Sequence, residues 1–214
     1  MSYRAPDRKI FVAMAGNIGA GKSTGAKLIS ETFGFELYEE PVIDNRFLTS
    51  YYGEMSRWSF TLQLEFLIKR VQHHEVISRT TQSCIQDRTL MEDPEVFAKF
   101  LHGLGYMEDR ELDLYFEYFH RLHRDLSKPD KVISFHVGNS DVLLERIKKR
   151  GREAEKDMSS KFLDGLNAYY AAFPTICEEK YGLEVLKIDV AEIDIRTGDG
   201  RTQLLDQVHD FFHH

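Results

Sequence analysis

Cysteine is scarce in this sequence, basic residues are outnumbered, and no long apolar run occurs. The two cysteines among 214 residues, Cys84 and Cys177, are too few for a disulfide framework and sit in no metal-ligand spacing. A reducing compartment suits such a chain. The 28 lysines and arginines stand against 35 aspartates and glutamates, a formal charge of −7 that argues against a generally basic surface for DNA or RNA. A local anion site stays open. Nothing approaches the roughly 20 apolar residues that span a bilayer, and the polar opening Met1-Ser-Tyr-Arg-Ala-Pro-Asp-Arg-Lys9 is no signal-peptide core. The expectation is a soluble, cytoplasmic protein with neither nucleic acid nor membrane as partner. Repeats, low-complexity tracts and Ser/Gly-rich linkers are missing too, so residues 1–214 are expected to form one domain, long enough to bury roughly 72% of its surface without a staple.

What is present is an alternation of short apolar runs with longer helical stretches. Strands are expected over 9–15, 35–39, 83–87, 131–137 and 184–189, and helices over 22–33, 55–79, 92–103, 109–126, 140–149, 159–180 and 201–212. This is the pattern of βα units around a parallel sheet, a three-layer α/β domain with five strands. Residues 43–62 carry no strand signal.

Gly16-Asn17-Ile18-Gly19-Ala20-Gly21-Lys22-Ser23 fits G-x-x-x-x-G-K-[ST] between the first strand and the first helix, with Thr24 next on that helix. Glycines let successive N–H groups turn toward phosphate oxygens, the helix N-terminus adds partial positive charge, Lys22 adds a full one, and Ser23 can reach Mg²⁺. A nucleoside triphosphate with magnesium is the implied ligand. An Asn-Lys-x-Asp guanine reader is absent and the chain is small for a motor, which leaves a small-molecule phosphotransferase with an acceptor site of its own.

Acceptor groups should lie beyond the carboxyl ends of the strands. Glu40, before Pro41, would project there and could take a proton from an attacking hydroxyl. Asp87 and Arg88 end the third strand, suited to magnesium and to the transferred phosphoryl group, although Asp-Arg also reads as a helix N-cap with a neighbouring charge, with Glu92 following at capping distance. Gln63 and Arg70 share one face of the long helix and could meet a nucleobase with Asp93, or equally face solvent. Arg146, Arg150 and Arg152 flank Gly151 and suit a lid over a triphosphate, near 146–158, or simply a helix end complementing its own dipole.

Taken together, these motifs resemble the deoxyribonucleoside kinases, the group that includes deoxycytidine, deoxyguanosine and bacterial deoxyadenosine kinases, and the resemblance extends over most of the chain. It rests on Gly16 to Ser23, Glu40-Pro41, Tyr52 ahead of Trp58 to Gln63, Arg70, Asp87-Arg88-Thr89 with Asp93, and Arg146 through Glu155. The resemblance implies a P-loop kinase fold and ATP-dependent, Mg²⁺-assisted phosphorylation of a deoxynucleoside 5′-hydroxyl, most naturally that of deoxyadenosine or deoxyguanosine. It makes Glu40 the general base, Arg88 its neighbour at the 5′-oxygen, Ser23 and Asp87 the magnesium groups, and Tyr52 with Glu155 the 3′-hydroxyl site. Gln63, Arg70 and Asp93 become the base readers, and Arg146, Arg150 and Arg152 the phosphate-binding lid. It also implies a homodimer through helices such as 55–79 and 92–103. Two residues depart from the family pattern: Thr89 replaces a frequent serine, and Leu62 a frequent phenylalanine beside the glutamine. The readings set against this one are a deoxycytidine kinase, a thymidylate kinase-like nucleoside monophosphate kinase, and a non-catalytic ATP-binding regulatory protein.

Overall fold

A computed structural model describes residues 3–40 and 46–213; Pro41 of the Glu-Pro pair therefore lies outside the described residues. Five parallel strands, β1 (Phe11–Gly16), β2 (Glu36–Tyr38), β3 (Cys84–Asp87), β4 (Lys131–His136) and β5 (Glu184–Asp189), form one sheet in the order β2-β3-β1-β4-β5. Helices α1 (Lys22–Phe33), α2 (Leu48–Gly53), α3 (Met55–Ile77), α4 (Lys99–Gly103), α5 (Asp109–His123), α6 (Ser140–Arg150), α7 (Ser160–Tyr181) and α8 (Gly198–His213) surround it.

Residue alternation along each strand divides the core in two. Val12, Met14, Ile133 and Phe135 pack with Ala26, Ile29, Leu204 and Val208, beneath α1 and α8. Ala15 and Val132 pack with Leu62, Leu67, Tyr115 and Phe173 on the other face, beneath α3, α5 and α7. Because both faces are covered, β1 reads as the unbroken apolar run Phe-Val-Ala-Met-Ala rather than an alternating one.

The chain leaves β1 toward β2 on one side, and leaves β3 past β1 toward β4 on the other, so a crevice opens between the carboxyl ends of β1 and β3. Met14 is paired with Asp87 there, which sets the end of β3 beside the loop that follows β1.

Five elements differ most from the sequence expectation. α2 forms within the stretch that carries no strand signal. The helix expected over 92–103 starts as a π-helix, Asp93–Ala98, and continues as α4. Asp93 and Phe97, four residues apart on this segment, both line the cleft, and π segments are frequent at functional sites. Finally, α3 and α5 stop at Ile77 and His123, short of 79 and 126, while α8 begins at Gly198 rather than 201.

Candidate active site

The loop between β1 and α1 is shaped from inside. Lys22 is buried and its Nζ donates to the carbonyls of Gly16 (2.8 Å) and Asn17 (3.0 Å), which folds the loop around the ammonium group. Two glycines are obligatory on steric grounds. Gly16 has φ 145° and a Cβ there would sit 2.7 Å from the Phe135 carbonyl oxygen; Gly19 has φ 81° and its Cβ would meet the Leu143 oxygen at 2.8 Å. Asn17 points away from the cleft: its Nδ2 donates to the Leu163 carbonyl (3.0 Å) and to Asn167 Oδ1 (2.7 Å), and its Oδ1 accepts from the Ile18 amide (2.7 Å). Gly16 and Asn17 thus support the loop, whereas Ile18 through Thr24 line the cleft. Burial, with the like charge of Arg88, lowers the Lys22 pKa to about 8.

On the acceptor side, Arg88 follows β3 with φ 78°, the one positive φ outside glycine among the described residues. Its Nε donates to Glu40 Oε1, and Arg70 Nη2 approaches the same oxygen at 3.5 Å. Burial works to raise the Glu40 pKa, but Arg88, Arg70 and Lys22 outweigh it and hold the carboxylate at about 2. Ser23 Oγ donates to Asp87 Oδ2 at 2.5 Å, while the buried Asp87 Oδ1 has no partner among the described residues. Burial raises the Asp87 pKa.

Gln63 and Arg70 are buried, at 3% and 2% exposure, so the solvent-facing alternative for this helix face does not hold. Arg70 Nε donates to Asp93 Oδ2 at 2.7 Å, and burial raises the Asp93 pKa to about 6 against the pull of Arg70. Gln63 Oε1 and Arg70 Nη1 lack partners among the described residues. Buried polar atoms of this kind call for a ligand or water.

The third wall is the end of α6 with the turn that follows it. α6 ends at Gly151 in the left-handed conformation (φ 70°), and a short 3₁₀ turn, Glu153–Glu155, follows. Glu155 is buried and accepts from Arg150 Nη2 at 2.5 Å, with Arg152 Nη1 at 3.5 Å. Tyr52 of α2 lies close enough to Glu155 for that charge, after burial, to raise its pKa. Arg146 donates to the carbonyls of Val190 (3.1 Å) and Ala20 (3.5 Å), tying α6 to the phosphate loop and to the segment after β5. All three walls enclose one cleft of about 590 Å³.

The profile of the deoxynucleoside kinase family matches residues 12–213. The chain belongs to this family. A deoxyadenosine kinase of Dictyostelium discoideum is 38% identical over 160 residues, which span 74% of this chain and 64% of that protein. A deoxyguanosine kinase of Bacillus subtilis is 32% identical over 180 residues, 84% of this chain and 86% of the relative. Among solved structures, the deoxyadenosine kinase from M. mycoides with bound dATP superimposes with a TM-score of 0.81 at 27% identity, covering 96% of this chain and all of that one (100%). This deoxynucleoside kinase accordingly has the P-loop kinase fold, and its activity is transfer of a phosphoryl group from ATP to a deoxynucleoside. No helix among the described residues is long and apolar enough to cross a membrane.

Within the kinase, Ser23 and Asp87 form a hard oxygen pair at the phosphate loop, and the partnerless Asp87 Oδ1 fits a Mg²⁺-bound water or the ion itself. Several residues of the cleft escaped the sequence reading: Tyr51, Phe66 and Phe97 as apolar walls, and Lys149, Asp194 and Arg196 at the α6 wall. Tyr51, Phe66, Phe97 and Lys149 lie on helices, where an apolar or basic residue reads equally as core or as solvated face, and Asp194 and Arg196 lie in the segment after β5, which carries no motif. Glu92 was legible only as a capping residue, and a cap does form: Glu92 Oε2 accepts from the Thr89 amide (2.7 Å) and the Glu92 amide donates to Thr89 Oγ1 (3.1 Å).

Proposed function

We propose that this kinase phosphorylates the 5′-hydroxyl of a purine deoxynucleoside, deoxyadenosine or deoxyguanosine, with ATP and Mg²⁺, through Glu40 as general base. The observation that carries the reading is the convergence of Glu40, Arg88 and Lys22 where the ends of β1 and β3 meet. Both arginine contacts to Glu40 fall on Oε1, which leaves Oε2 to accept the hydroxyl proton. Surrounding cations keep Glu40 ionised across the whole working pH range, so the base is in its active form before substrate arrives.

Lys22, Arg88 and the lid arginines Arg146, Arg150 and Arg152 then neutralise charge on the phosphoryl group, and the loop amides from Ile18 to Thr24 hold the triphosphate in line. Mg²⁺ held through Ser23 and Asp87 would supply further charge neutralisation at the phosphates. Tyr52 and Glu155 address the 3′-hydroxyl. For the base, the Arg70–Asp93 pair presents a donor beside an acceptor, and the Gln63 amide offers one of each, a combination suited to a purine edge. Relatives named deoxyadenosine and deoxyguanosine kinases support the same class. A monophosphate acceptor fits less well, because the cations at that end, Arg70 and Arg88, are each already paired with carboxylates.

The reading includes a cytoplasmic homodimer. Exposed Ile68 and Val76 on α3 support an apolar contact face. The segment 92–101 is largely covered within its own chain, so α5, with exposed Leu114 and Tyr118, takes its place as the second contributor. Ile68→Lys should then raise the monomer fraction measured by light scattering; an unchanged dimer would remove α3 from the interface.

The decisive assay offers the four deoxynucleosides and deoxyadenosine monophosphate with ATP and magnesium. Efficient turnover of a purine nucleoside with none of the monophosphate is expected, and Glu40→Gln should lower kcat by about 10²–10⁴. Preferred use of the monophosphate, or full activity of Glu40→Gln, would overturn the assignment.

A further inference from the structure

Glu92 is fully buried, with 0% exposure, and its two oxygens do different work. Oε2 closes the helix cap with Thr89, as any capping glutamate would. Oε1 instead accepts three bonds beneath the cleft: from the Gly16 amide at 3.1 Å, from Arg88 Nη1 at 3.0 Å and from the Tyr170 hydroxyl at 2.8 Å. Arg88 Nη1 also donates to the Tyr170 oxygen at 2.8 Å, which closes a triangle of arginine, glutamate and tyrosine.

The network touches both substrates' sides at once. Gly16 is the residue whose carbonyl holds Lys22, so Glu92 grips the N–H of the same residue whose C=O positions the phosphate-loop lysine. On the other side it fixes the far end of Arg88, whose Nε faces Glu40 and whose guanidinium lies over the Phe97 ring at 4.8 Å. A left-handed backbone at a bulky residue is strained and persists only where its surroundings hold it. Glu92 and Tyr170 hold the guanidinium end of this residue, and Glu92 also accepts from the amide of Thr89 that follows it.

We propose that Glu92 and Tyr170 are positioning residues for phosphoryl transfer: they lock Arg88 against Glu40 and hold the phosphate loop in register with the acceptor. The inference rests on the reading of Arg88 and Glu40 as the groups at the reacting oxygen. Neither Glu92 nor Tyr170 need touch substrate. Misplacing a reacting group by about 1 Å costs up to about 10²-fold in rate, so the effect belongs in kcat more than in KM.

The fold contains its own control. Glu95 is also buried and accepts from the Tyr181 hydroxyl at 2.8 Å, the same pair chemistry between the same two elements, but its other partners are Lys99 and Lys180 at the surface. Steady-state kinetics and thermal unfolding should therefore be measured for Tyr170→Phe, Tyr181→Phe, Arg88→Lys, the double variant Tyr170→Phe/Arg88→Lys, and Glu40→Gln. Tyr170→Phe is expected to lower kcat by about 10- to 100-fold with KM for ATP changed less than threefold, and Tyr181→Phe to keep kcat while losing a similar amount of thermal stability. In the Arg88→Lys background the Tyr170 substitution should cost little further rate, since the group it positions is already gone. Unchanged kcat in Tyr170→Phe, equal losses in both tyrosine variants, or strictly additive rate losses with Arg88→Lys would overturn the proposal. If Glu40→Gln and Arg88→Lys themselves kept full activity, the functional reading beneath it would fail instead.

Discussion

Lys22 illustrates how a single residue's environment becomes a measurable property. In the free cleft its pKa is lowered to about 8 by burial and by Arg88. A bound triphosphate brings negative charge to within reach and must raise it again. The complex therefore holds more protons than the free protein above pH 8, and ATP affinity should fall as pH rises past that value. Calorimetric titration of ATP at pH 8.5 in two buffers of different ionisation enthalpy should report uptake of a large fraction of a proton; no uptake would mean that Lys22 is already fully charged when free.

His74 gives a stability counterpart. It is buried on α3, its Nδ1–H donates to the Ser127 carbonyl at 3.1 Å, and burial lowers its pKa to about 4. Because the folded value lies below the unfolded one of about 6.5, this histidine contributes full stability above pH 6.5 and loses it progressively as pH falls toward 4. Replacing it with phenylalanine, beside the edge-on ring of Phe11, should flatten the denaturant midpoint across that window while wild type declines by a few kcal/mol. At this scale the sequence was half legible. Lys22, Glu40, Asp87 and Arg88 lie in local motifs at strand ends, so their convergence could be foreseen; Tyr170 lies 82 residues from the arginine it contacts, and nothing in its neighbourhood marks it.

Elements were legible in proportion to how completely burial dictates their pattern. β1, β3 and β4 are buried between helical layers along nearly their whole length and are the plainest to read, whereas β2 and β5 are more exposed; among the long helices α5 shows its periodicity and α3 scarcely does. α2 has six residues, too few for a period to show, and only Tyr51 among them is fully buried. The π turn at Asp93 was invisible because hydrophobic spacing sets a helix's faces, not its hydrogen-bond register. Asp93 and Phe97, both on this segment, line the cleft. The phosphate loop makes the element-scale prediction: Gly19→Ala places a side chain at φ 81° and 2.8 Å from the Leu143 oxygen. It should cost at least about 1–2 kcal/mol, a fall of roughly 2–8 °C in Tm, together with most of the ATP affinity. A variant that melts at the wild-type temperature would show that the loop relaxes freely.

At the scale of the whole molecule, the negative balance of −7 conceals a cleft built from cations. Lys22, Arg70, Arg88, Arg146, Lys149, Arg150, Arg152 and Arg196 all line it. Most of these charges are brought together by the sheet order, which sets β2, β3 and β1 side by side, and by α6 with the turn after it. Long-range arrangement of this kind is what composition cannot report, although motif order had already implied it.

One face of α7 has a wider consequence. Leu163 and Asn167 hold Asn17 of the phosphate loop, and Tyr170, further along the helix, holds Glu92 and Arg88 of the acceptor strand. The donor and acceptor halves are thus fastened to a single rail, with the Gly16 and Thr89 amides bonded to the two oxygens of one carboxylate. Amides so joined are expected to open as one unit. In native-state hydrogen exchange, Gly16 at the end of β1 and Thr89 in the turn after β3 should share one opening free energy, and Tyr170→Phe should lower both by the same amount. The catalytic geometry would then be inherited from the cooperative unit that α7 nucleates, and would vanish with it in one step rather than loosening subsite by subsite.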